Sequence, residues 1–84
     1  MPTPILVPPT GCLNQNLIVS VWLVRVGEQV IAGDRVVELL TPGITFDVES
    51  PCSGTLSSSE CPSGTEVRER TVLGWIEQED SDPS

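Results

Sequence analysis

The chain has 84 residues, with four basic side chains against twelve acidic ones and a net charge of −8. A chain this short buries only about 60–65% of the surface it exposes when unfolded, which leaves no room for a large enclosed catalytic chamber, and its negative charge argues against a phosphate-binding surface and hence against nucleic acid as a partner. All four cations are arginine (Arg25, Arg35, Arg68, Arg70) and lysine, histidine and tyrosine are absent, which removes Schiff-base and lysyl-acylation chemistry, imidazole acid–base steps, His-bearing zinc sites and Ser-His-Asp triads.

In chain order, "MPTP" (1–4) reads as a flexible terminus, followed by a first strand near 4–8 and the loop "PPTGCLNQN" that carries Cys12. "LIVSVWLVR" (17–25) is dense in β-branched residues and is expected to be a central strand, with Val19, Val21 and Leu23 on one face and Trp22 and Val24 on the other. Its apolar run stops at Asn16 and Arg25, well short of the ~20 residues of a membrane helix. Regular punctuators then mark off short strands: Gly27-Glu28 before 29–31, Gly33-Asp34 before 35–41, and Pro42-Gly43 before 44–49. In the last of these, Ile44, Phe46 and Val48 alternate with Thr45, Asp47 and Glu49, the period of a half-buried strand. Ser50-Pro51 and Gly54 precede 54–60, Ser63-Gly64 precedes 66–67, and a final strand covers 71–77. The acidic "EQEDSDPS" is expected to fray, giving a flexible tail at 79–84 after one domain at 5–78. The class is all-β without helices, and the core is expected from Val19, Val21, Leu23, Val30, Val37, Leu39, Phe46, Val48, Val67 and Ile76.

A faint repeat runs through this pattern. "VGEQV" (26–30) and "SGTEV" (63–67) each put a glycine three residues before a valine, and 37 residues separate Gly27 from Gly64. Halves of that length cannot each bury a face alone, so they are expected to pack about a pseudo-twofold axis.

Candidate site residues are few. Thr41-Pro42-Gly43-Ile44 forms a tight turn, because proline presets φ at the first central position and glycine tolerates positive φ at the second. It is read either as a stiff recognition tip or as a plain turn. A type II turn splays a two-residue hairpin, so a wider loop or a distortion beside the tip is expected. Cys12, Cys52 and Cys61 are odd in number and lack C-x-x-C spacing, which favours a reducing cytoplasm over a disulfide framework. Cys52 and Cys61 read as small core or semi-core residues, and Trp22 and Trp75 as core or core-edge. The carboxylates form no D-x-D-x-D-G cluster, so they read as a solvated surface with no metal site.

The segments "VPP", "VWLVRVGEQVIAGDRVVEL", "VESPCSGTL" and "GTEVRERTVLGWIE" resemble the biotinyl/lipoyl-attachment domain family, the swinging-arm carriers of 2-oxo acid dehydrogenase complexes and biotin enzymes. The similarity runs without gaps from Ile5 to about Glu77, and is densest at Trp22, Leu23, Gly27, Glu28, Val30, Gly33 and Asp34, then at Ser50-Pro51 and Gly54. The resemblance implies a flattened barrel or sandwich of two four-stranded antiparallel sheets with pseudo-twofold symmetry. It also implies an attachment lysine at an exposed hairpin tip, usually within Asp-Lys-Ala, where this chain has Pro42, Gly43 and Ile44. With glycine at that position, neither lipoylation nor biotinylation is expected. Other departures from the family pattern are Leu17 and Arg70, each at a usual glycine, and the polar "SSSEC" (57–61).

The expectation is therefore a non-enzymatic, cofactor-free domain whose partner is a protein. That partner would be a component of a 2-oxo acid dehydrogenase or carboxylase, met at a surface formed by Thr41, Pro42, Gly43, Ile44 and Cys12. A divergent acyltransferase domain of a 2-oxo acid dehydrogenase complex is the alternative, and a carrier using the Cys12 thiol is the third.

Overall fold

The computed structural model describes residues 2–9 and 17–78. Its regular elements are all strands: β1 (Pro2–Leu6), β2 (Leu17–Trp22), β3 (Gln29–Val30), β4 (Arg35–Thr41), β5 (Ile44–Glu49), β6 (Gly54–Ser59), β7 (Glu66–Val67) and β8 (Val72–Gln78). They pair antiparallel into two four-stranded sheets, ordered β1-β8-β6-β3 and β5-β4-β2-β7. The period-2 segments thus become an all-β sandwich, with inward side chains of both sheets meeting in one core.

The faint repeat proves to be structural. Exchanging β1 with β5, β2 with β6, β3 with β7 and β4 with β8 converts one strand order into the other. The irregularities repeat as well. Ser20 is an extra residue of β2 against β4, and Ser57, 37 positions on, is the extra residue of β6 against β8. Val36 and Leu73 are a second such pair, where β4 meets β5 and β8 meets β1. Gly27 and Gly64 have φ of 100° and 93°, and their N–H groups donate to the carbonyls of Leu56 and Val19 at 2.8 and 2.7 Å, tying each half to the other. In the turns before β4 and β8, the Asp34 carboxylate accepts from the Ile31 N–H and the Thr71 hydroxyl from the Arg68 N–H, each at 2.9 Å.

Seven of the expected core residues are buried (Val19, Val30, Val37, Leu39, Val48, Val67, Ile76), and Phe46 packs half-buried against them. Val21 and Leu23 are not core: they are 41% and 48% exposed. The bulge at Ser20 is the reason. One extra residue shifts the alternation, so that Trp22 and Val24 turn toward the core in their place. The same device buries both Val36 and Val37, adjacent residues that simple alternation would set on opposite faces.

Three other differences have physical causes. β1 takes in Pro2–Pro4, read as part of a flexible terminus, because Glu77, Ile76 and Trp75 of β8 pair with them; prolines are tolerated there since β1 is an edge strand. β2 stops at Trp22 rather than Arg25, because the chain must leave its sheet to place β3 beside β6 in the other. Trp75 lies between buried Gly74 and Ile76, which puts its half-buried ring on the outward face. Trp22 does join the two halves: its indole N–H donates to the Cys61 carbonyl at 2.8 Å. The tail at 79–84 lies outside the described residues.

Candidate functional site

The β4–β5 hairpin closes with Thr41 paired to Ile44, leaving Pro42 and Gly43 as its two-residue tip. The proline ring fixes φ near −65°, and Gly43 has φ of 84°, the pair of angles of a type II turn. The expected widening is absent. Pairing is regular from Val37–Val48 to Thr41–Ile44, and the one irregularity of this strand pair lies at its far end, between Arg35 and Val37. Burial of Leu39 and Thr41 holds β4 in place, so the turn's mismatch in twist cannot be relieved by opening the ladder.

The tip residues divide by exposure. Thr41 is buried, supporting the turn from inside, while Pro42, Gly43 and Ile44 are exposed. Cys12 lies outside the described residues. Beside the tip is an open, apolar depression of about 220 Å³, lined by Ile18, Leu40, Thr41, Pro42 and Gly43. None of these side chains is an acid, a base or a thiol nucleophile, so the described lining offers apolar contact and no group for acid–base catalysis. Ile18 and Leu40, which pair across β2 and β4, were not among the expected site residues. Their only sequence signal is the doubled apolar pairs Leu17-Ile18 and Leu39-Leu40, where alternation would leave one position polar.

Carboxylates border the depression on the same face. Glu66 pairs with Ile18, and Glu38 pairs with Asp47 one outward row beyond Leu40. Asp47 accepts a salt bridge from Arg35 at 3.3 Å. Among the described residues no group of His, Cys, Asp and Glu is placed to hold a metal ion.

The described cysteines are both free thiols, Cys52 half-buried and Cys61 buried. Cys61 Sγ lies 3.6 Å from the Val72 carbonyl. Burial, reinforced by the nearby Glu60 carboxylate, pushes its pKa up from the ordinary thiol value, so it is a poor nucleophile. Arg70, at the turn before β8, has φ of 71°, where its counterpart 37 positions earlier is Gly33 with φ of 95°. No helix among the described residues is long and apolar enough to cross a membrane.

Two symmetric four-stranded sheets with a short exposed hairpin are the architecture of biotinyl and lipoyl domains. The family model described as "Biotin-requiring enzyme" matches residues 3–76, and the chain belongs to this biotin/lipoyl family. It is 31% identical over 72 residues, 86% of the chain, to the dihydrolipoyllysine-residue succinyltransferase component of the 2-oxoglutarate dehydrogenase complex of Buchnera aphidicola, of which that stretch covers 18%. It is 30% identical over 83 residues, 98% of the chain, to the dihydrolipoyllysine-residue acetyltransferase component of the pyruvate dehydrogenase complex of Rhizobium meliloti, covering 19% of it. It is 33% identical over 80 residues, 94% of the chain, to the pyruvate dehydrogenase E1 component subunit beta of the same organism, covering 17% of that protein. The chain thus spans less than a fifth of the length of these relatives.

The family implies a covalently attached biotinyl or lipoyl group. The residues at the hairpin tip do not fit one: Pro42 and Gly43 offer no amine, and the chain has no lysine. A β-carbon at Gly43 would have open space around it.

Proposed function

We propose that this chain is a lipoyl/biotinyl-type domain that carries no arm and acts as a non-catalytic docking module for a protein partner. The observation that carries this reading is the glycine at position 43, at the tip where the family resemblance puts the attachment lysine, in a chain with no lysine elsewhere. The partner fits the 2-oxo acid dehydrogenase type, on the strength of the relatives' names. Those names also favour a second reading, in which the chain is a divergent acyltransferase domain of such a complex. The cofactor-free expectation holds in both.

The test is direct. Purified protein incubated with lipoate or biotin ligase, cofactor and ATP is expected to show no mass increase by intact mass spectrometry. Gly43→Lys alone is expected to be modified weakly, because Pro42 keeps the turn at a φ of 84° that a lysine adopts only under strain. Pro42→Asp with Gly43→Lys is expected to be modified better. Modification of the unaltered chain would overturn the proposal, and an adduct on Cys12 in protein from its native host would favour the thiol carrier instead.

A further inference from the structure

The internal repeat supplies a control on which exposed residues the fold itself requires. The two halves share strand order, bulges and most of their registered pairs, so a feature present in one half alone is not a demand of the architecture. The exposed large apolar residues are Leu6, Val21, Leu23, Val26, Ile31, Leu40 and Ile44, and none comes from beyond residue 44. Thirty-seven positions on, Val21, Leu23, Val26, Ile31 and Leu40 correspond to Ser58, Glu60, Ser63, Arg68 and Glu77. Half-buried Ile18 likewise has Thr55 as its counterpart. The exchange runs the other way at Trp75, whose counterpart is Glu38, and at Val72, whose counterpart is Arg35, but those apolar side chains are half-buried. The fold therefore accepts polar residues at the outward positions of β2 and β4, and this chain has apolar ones.

Ile18, Val21 and Leu40 are neighbours on that outward face: Ile18 pairs with Leu40, and Val21 pairs with Glu38, two residues before Leu40. The face continues into the depression at the Pro42-Gly43 tip. Glu66 stands on one side, Glu38 and Asp47 on the other, and Arg35 is engaged with Asp47. We propose that the outward face of the β5-β4-β2-β7 sheet is a docking surface for a protein segment presenting an apolar anchor flanked by cationic side chains. The charge selects the occupant. A second copy would bring one net charge of −8 against another and set like carboxylates around the same apolar strip, whereas a basic segment meets carboxylates of opposite sign. The inference rests on the docking reading above and adds the chemistry of the partner.

The experiment is an NMR titration of the whole chain with a short synthetic peptide of alternating leucine and lysine, with leucine–glutamate and oligolysine peptides as controls. The methyl resonances of Ile18, Val21, Leu23 and Leu40 are expected to move with the leucine–lysine peptide and with neither control. The variant Val21→Ser/Leu23→Glu/Leu40→Glu installs residues that the other half already carries at these positions, and is expected to bind about tenfold or more weakly with its β-sheet circular dichroism intact. If that variant fails to fold, Leu40→Glu alone and Glu38→Gln/Glu66→Gln are expected to weaken binding in the same direction, the latter with a shallower salt dependence. Equal movement with oligolysine or the acidic peptide, or methyls that stay still throughout, would overturn the proposal. So would methyl shifts that follow the concentration of the chain alone, which would make the occupant a second copy. Each of these failures would stand with the ligase assay still showing a bare mass, so the two readings fail separately.

Discussion

Arg70 holds a backbone angle that costs an L-residue free energy, and the repeat shows what would relieve it. Its φ of 71° matches the 95° of Gly33 at the equivalent turn. Arg70→Gly removes about 1 kcal/mol or more of left-handed strain but adds chain entropy to the unfolded state, so a net gain of about 0.5–1 kcal/mol is expected in urea denaturation. Cys61 is the residue whose protonation is linked to stability. Its pKa is raised by burial and then by Glu60, so the folded form keeps its proton at a pH where the unfolded thiol has lost it. The contribution is therefore fully present below the unfolded thiol value of about 8.5 and is lost as pH rises through the raised folded value. Denaturation midpoints are expected to fall above about pH 8.5, with a smaller fall in Cys61→Ala.

Strands were legible in the sequence because period 2 and Gly/Pro punctuation act locally; the order of residues in "RVVELLTPGITFDVE" is enough to place β4, its tip and β5. Bulges were not, because an extra residue is defined only against a partner strand distant in sequence. Alternation alone therefore points Val21 and Leu23 inward and leaves Val36 and Leu73 out of the core. The site was legible to the same extent: Pro42-Gly43 announces a tip, whereas the depression needs Ile18 and Leu40 on two strands brought together by the sheet. Gly54 and Leu17 show how one element sets a residue's tolerance. Gly54 pairs on both sides, with Val30 and Gln78, and a β-carbon there would run into the Glu77 carbonyl and the Ile76 side chain. Leu17, its counterpart, has Val67 as its registered partner, while pairing of β2 with β4 starts at Ile18, and it is buried in the core. Gly54→Ala is accordingly expected to cost about 2–3 kcal/mol, read as a lowered urea midpoint at unchanged slope.

The whole molecule is two interleaved halves rather than two stacked ones. One sheet draws β1 and β3 from the first half and β6 and β8 from the second, and the other draws β2, β4, β5 and β7. Neither half has a sheet of its own, so unfolding is expected to be a single cooperative step. Peptides 1–42 and 43–84, cut at the hairpin tip, are expected to be unstructured apart. Mixed, they are expected to recover β-sheet circular dichroism and a blue-shifted Trp22 emission in a Trp75→Phe background, since Trp22 reaches across to Cys61; β-sheet signal from either peptide alone would contradict this. The placement of β1 beside β8 has one more consequence. Pro2 pairs with Glu77, and Gly54 with Gln78, at the end of the sandwich reached by the short connection leaving β5 away from its tip. The described chain thus enters and leaves at one pole while Pro42-Gly43 occupies the other. The molecule is bipolar: a contact made with the paired ends of β1 and β8 grips one pole and leaves the hairpin tip at the opposite one.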